Sequence, residues 1–128
     1  MFCFQCEQTA GGSGCTGCAG VCGKSAGNAH LQDELTGALI GLARACQNNP
    51  KTDKTDRIIM EGLFTTVTNV NFNDVAVEAM IARVNDEKNV VSPGCSSCGA
   101  PCGHNDNYDM SALWTTQEDI RSLKSLIL

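Results

Sequence analysis

Five cysteines fall within the first twenty-two residues, MFCFQCEQTAGGSGCTGCAGVC, beside five glycines and a single branched aliphatic side chain, Val21. A stretch like this cannot build a core from hydrophobic burial. Glycine adds no side chain to bury and loses more backbone freedom on folding than any other residue. Something else must hold the segment, and the options are a metal ion, an inorganic cluster or disulfides. The chain has nine cysteines, an odd number, so complete intramolecular pairing is ruled out. The first residues also lack the basic, apolar and small-residue regions of a secretory signal. A cytoplasmic location is therefore expected, where thiols stay reduced and dense cysteine more often binds metal than cross-links.

At 128 residues the chain reads as one domain, 1–128, long enough to bury roughly two-thirds of its unfolded surface. The net charge is −5, and the nine Lys and Arg are scattered, so no basic face for nucleic acid is expected. No run of eighteen apolar residues is present, so no membrane span is expected.

The character of the chain changes after the cysteine-rich loop, 1–27. Residues 28–88 read as three helices. Asn28 is a candidate N-cap for the first, with Leu31, Leu35, Leu39, Leu42 and Cys46 following at helical spacing. Gly37 and Gly41 stand four apart and suit close packing, and Pro50 ends the run. A second helix spans about 53–68, with Ile59, Leu63 and Val67 as its stripe and Ile58 and Gly62 beside it. Asn73 caps the third, whose inward face is Val77, Met80, Ile81 and Val84, ending near Lys88.

Residues 89–112 lose the period and carry three more cysteines, which makes a second Cys-rich loop. Loops of that length inside a compact domain are uncommon unless functional or held by something. A last helix, 115–128, starts at a Thr115/Glu118 capping box and shows Ile120, Leu123 and Ile127 on one side. It has no stop signal, which reads as a helix cut from a longer protein. The fold class expected is all-α: a bundle of three to four helices with two irregular cysteine-rich loops.

Cys3 and Cys6 form a C-x2-C pair, and Cys15, Cys18 and Cys22 form C-x2-C-x3-C. Cys95, Cys98 and Cys102 repeat the second spacing, with His104 two residues on. Two residues between thiolates let a tight turn aim both sulfurs at one metal. Four thiolates suit zinc or an iron–sulfur cluster, and the long interval from Cys6 to Cys15 is less typical of a zinc knuckle. Iron–sulfur is favoured, ahead of a structural zinc-binding interaction module and of disulfides. Cys95, Cys98, Cys102 and His104 are candidate ligands for a second metal, zinc or iron. Cys46 reads as a small buried hydrophobe, and His30 as a surface residue or one that supports a ligand without being one. Lys24 is either an offset to cluster charge or a solvated lysine. No paired catalytic carboxylates, Ser/His/Asp arrangement or phosphate-cradling loop stands out.

The opening MFCFQCEQTA, with GVCGK and LQD downstream, resembles the start of the hybrid cluster proteins, the hydroxylamine reductase or prismane family. The end of the chain, from YDM to EDIRSLKSLIL, is similar to a later segment of that family. The resemblance implies an N-terminal helical domain carrying a [4Fe–4S] cluster. Matched position by position it implies Cys3, Cys6, Cys15 and Cys22 as ligands, with Cys18 inside the last interval as a competitor for the fourth place. It further implies an oxidoreductase whose substrate is reduced at a separate hybrid cluster, on ligands in later domains that this chain lacks. The 128 residues would then relay single electrons from a reductase or ferredoxin-like donor to catalytic domains of a longer parent protein. Alone, they would be inactive.

Overall fold

The computed structural model describes residues 3, 5–6, 14–47, 49–67, 72–92, 107–117, 119–120 and 123. Three helices make the body: α1 (Ala26–Gln47), α2 (Asp53–Val67) and α3 (Asp74–Val91), followed by a single turn, α4 (Ser111–Trp114). The architecture is all-α. Among the described residues the only β pairing is two isolated bridges in the N-terminal loop, and no helix is long and apolar enough to cross a membrane.

The central element is α1, which packs against both α2 and α3. Leu35, Ala38, Leu39 and Leu42 close the core with Ile58, Val77, Met80 and Val84, while Leu31, Cys46, Ile59 and Ile81 pack against its edge. The expected stripes of α1 and α3 are those observed. Asn73 caps α3 as its sequence position suggests, its Oδ1 accepting from the Ala76 N–H at 3.1 Å.

The start of α1 differs from expectation. Its cap is Ser25, whose Oγ accepts from the Asn28 N–H at 3.0 Å, and the helix begins two residues earlier, at Ala26. Asn28 is released from capping and is buried. The face of α2 differs as well: Thr55, Ile58 and Gly62 point to the core, while Leu63 and Val67 are exposed. Gly62 is the reason. A Cβ there would lie 2.7 Å from Leu39 Cδ2, so Leu39 of α1 occupies the space that a side chain at this position would need. Turning that position inward leaves Met60, Leu63, Phe64 and Val67 facing out.

Beyond α3, which runs to Val91 rather than Lys88, the chain returns to α1. The Tyr108 N–H donates to the Gly37 carbonyl at 3.0 Å, and Arg44 lies over the Tyr108 ring, 5.5 Å from its centroid. Thr115 closes α4 instead of opening a helix, with its N–H and its hydroxyl both donating to the Ser111 carbonyl. Of the expected last helix, Asp119, Ile120 and Leu123 are helical and the two apolar residues are exposed. The other residues from 121 to 128 lie outside the described set, as does Glu118.

An ion pair between an exposed lysine and a buried glutamate ties α2 to α3. Glu87 is 2% exposed, accepts from Thr55 Oγ1 at 2.7 Å and meets Lys54 Nζ at 2.7 Å. The Lys54 contact first, and the Thr55 hydroxyl second, hold its carboxyl below the usual range. A folded-state value below the unfolded one stabilises the protein above the ordinary Glu range, and the gain disappears as pH falls through the lowered folded value. Glu87→Gln should therefore cost roughly 1.5 kcal/mol at neutral pH, the scale of a hydrogen bond to a charged group. Urea unfolding of both proteins should show that gap closing below about pH 4. A gap independent of pH would assign the cost to packing instead of charge.

Candidate metal centre

The N-terminal loop is organised by its backbone. Cys3 and Cys15 face each other as an antiparallel pair that exchanges both hydrogen bonds, 3.0 Å from Cys3 N–H to the Cys15 carbonyl and 2.8 Å in the other direction. Gly14, at φ 117°, sets the chain into this pairing with a backbone angle that L side chains rarely adopt. A small hairpin follows. Ala19 pairs with Ser25, the Gly20 N–H donates to the Lys24 carbonyl at 2.8 Å, and the Gly23 N–H donates to the Gly20 carbonyl at 2.9 Å. Cys22 sits at its tip, followed by Gly23 at φ 89°. The Cys22 sulfur folds back over Gly20, where an added Cβ would meet it at 3.4 Å.

Cys15 is buried, Cys3 and Cys6 are half-buried, and Cys18 and Cys22 are exposed. All five are free thiols, so the disulfide reading finds no bridge among the described residues. Among those same residues no three Cys, His, Asp or Glu side chains converge as a ligand group. What the fold brings together is the backbone of Cys3 and Cys15, with Cys6 three residues from the first. Cys22 lies on the neighbouring hairpin. The donor chemistry fits a thiolate-held metal group: soft sulfur ligands, and glycines that let backbone N–H groups approach. Cys95, Cys98, Cys102 and His104 lie outside the described residues.

Lys24 is not a solvated lysine. It is 1% exposed and is the largest of the fully buried side chains among the described residues. Its Nζ donates to Gln5 Oε1 at 2.5 Å and to Gln32 Oε1 at 2.7 Å. Gln32 Nε2 donates in turn to Asn28 Oδ1 at 3.0 Å, and Asn28 Nδ2 to Asp74 Oδ1 at 2.7 Å. This polar line runs from between Cys3 and Cys6, through α1, to the first turn of α3. A buried polar group costs stability unless hydrogen-bonded, so each member depends on the next.

Sequence reasoning missed Gln32 and gave Asn28 a capping role instead of this one. A signal was present: positions 28, 32, 35, 39, 42 and 46 form one continuous stripe on α1, and its first two members are amides. The other thiol and the imidazole among the described residues lie apart. Cys46 is half-buried against the core and burial pushes its thiol up, which suits packing better than ligation. His30 is exposed and lies 3.7 Å from Glu34.

Comparison with known proteins identifies the family. The family model described as Prismane/CO dehydrogenase family matches residues 1–128. A protein of Bacteroides thetaiotaomicron named hydroxylamine reductase is 37% identical over 141 residues, covering 99% of this chain and 26% of its own length. Proteins of the same name from Thermoanaerobacter pseudethanolicus and Desulfitobacterium hafniense are 37% and 34% identical, covering 99% and 100% of the chain and 27% of their own lengths. The chain thus spans about a quarter of the curated relatives it matches. Those alignments are longer than the chain itself, so the relatives carry insertions relative to it.

Proposed function

The chain belongs to the Prismane/CO dehydrogenase family, and from that premise we propose that it is the electron-relay part of a hydroxylamine reductase-like oxidoreductase. The relatives named hydroxylamine reductase extend over nearly four times the aligned length, and the reduction itself is assigned to the catalytic domains in that remainder. The observation that carries the reading is the reciprocal backbone pairing of Cys3 and Cys15, which joins two separate cysteine motifs of the N-terminal loop.

In this reading Cys3, Cys6, Cys15 and Cys22 hold a [4Fe–4S] cluster, with Cys18 the alternative to Cys22. When bound, such a cluster supplies a one-electron store whose potential depends on hydrogen bonds, charge and solvent exposure. The chain's own residues do the rest. The Cys3–Cys15 bridge fixes the spacing of two ligands, and the Gly20–Lys24 hairpin presents the fourth. The exposed Cys18–Cys22 side faces the redox partner, a reductase or ferredoxin-like donor. Free thiols throughout the described loop suit a reducing, cytoplasmic compartment.

Metal analysis and a visible spectrum of anaerobically purified protein test this. About four irons per chain, with broad absorbance near 400 nm bleached on reduction, are expected for a cubane cluster. Colourless protein with stoichiometric zinc would sink the proposal in favour of a structural zinc module.

A further inference from the structure

A buried ammonium is costly unless something negative faces it, and Lys24 has no carboxylate within ion-pair distance among the described residues. Its two described acceptors are neutral amide oxygens. The nearest acid along the hydrogen-bonded line is Asp74, two amides away. Those amides are ordered by that line. Asp74 accepts from Asn28, whose oxygen accepts from Gln32, whose oxygen accepts from Lys24. Each amide of this line presents its oxygen towards the ammonium, so among the described residues the charge is held by dipoles and by no carboxylate.

The position of this charge is specific. At its root, the Lys24 Cβ and the Cys22 sulfur both flank Gly20, at 3.5 and 3.4 Å from the point a Gly20 Cβ would occupy. At its tip, the ammonium binds Gln5, the middle of the first C-x2-C motif. The side chain therefore spans from the hairpin bearing Cys22 to the segment bearing Cys3 and Cys6. An ammonium has three donors, and the described residues take two of them.

We propose that Lys24 is the resident counter-cation of the group held by the N-terminal cysteines, favouring its reduced state and its retention. The inference rests on the iron–sulfur reading above. Four thiolates with a cubane core carry net negative charge, and reduction adds one more electron with no bond made or broken. A fixed cation favours the more negative state, most effectively where water is excluded. A lysine serving only to pin the loop would leave the potential unmoved.

The test is potentiometric titration of the full chain, purified and reduced anaerobically with dithionite and followed by visible absorbance and electron paramagnetic resonance. Lys24→Met should shift the midpoint to more negative values, and Lys24→Arg, which keeps the charge, should stay near the parent. Loss of iron from Lys24→Met with retention in Lys24→Arg would support the same conclusion through retention. Equal midpoints in all three proteins would overturn it, as would loss of iron from both variants. Absence of iron from the parent protein is a different failure, that of the iron–sulfur reading itself, and would take this inference with it.

Discussion

Cys15→Ser should abolish iron binding and leave the helices standing. Serine keeps the size of the side chain and removes the thiolate, the soft, readily ionised ligand that iron and sulfide require. Cys15 is the most demanding position for this exchange because it is buried, at 5% exposure, and paired on both backbone sides with Cys3. No exposed neighbour can take its place without undoing that pairing. Iron should fall from about four per chain to near zero, with loss of the absorbance near 400 nm. The far-ultraviolet circular dichroism of α1, α2 and α3 should remain, because their core of Leu35, Leu39, Leu42, Ile58, Val77 and Val84 contains no cysteine ligand. Cys46→Ser is the control: it alters a half-buried thiol on α1 and should leave the iron content unchanged. Undiminished pigment in Cys15→Ser would remove this residue from the ligand set.

The same contrast explains which parts of the molecule were legible in the sequence. The stripes of α1 and α3 were readable because burial is set by leucine, valine and methionine at helical spacing, and nothing local competes with them. The face of α2 was not, because the largest apolar residues there are the exposed ones. A glycine that faces the core leaves no mark in a hydrophobic pattern, and Gly62 decides the rotation through Leu39. Asn28 illustrates a second limit. It is a good N-cap by type, yet Ser25 is equally good, and a distant partner, Asp74, settled which one caps. Lys24 shows a third limit. Charge predicts exposure for an isolated lysine, and only the amide line from Gln5 to Asp74 reverses it. The cysteine motifs were visible in the sequence as spacings, C-x2-C and C-x2-C-x3-C. Their pairing across the loop was not, since it depends on long-range backbone hydrogen bonds between Cys3 and Cys15.

Gly37→Ala should destabilise the protein although alanine is the better helix former. By propensity alone the exchange gains about 1 kcal/mol in a helix interior. At position 37 the added Cβ would lie 2.2 Å from the Tyr108 carbonyl oxygen and 3.3 Å from its carbon, and both are backbone atoms that cannot rotate away. The 107–110 segment must then lift from α1. That movement strains the Tyr108 N–H bond to the Gly37 carbonyl, the placement of the ring beneath Arg44, the Lys88–Asn107 hydrogen bond and the burial of Met110. Overpacking of this kind costs typically 1–3 kcal/mol, and a lost buried hydrogen bond adds about 1. The balance is a net loss of about 2 kcal/mol, or roughly 6–10 °C in Tm for a domain of this size. Gly27→Ala provides the opposite sign from the same chemical change. Gly27 is exposed in the first turn of α1, and its added Cβ would meet only Ser25 Oγ, at an ordinary 3.8 Å. That variant should gain about 0.5 kcal/mol, somewhat less than at a helix interior. Thermal unfolding of the two variants beside the parent protein decides the matter, since a Gly37→Ala chain as stable as the parent means that the 107–110 segment does not rest on α1.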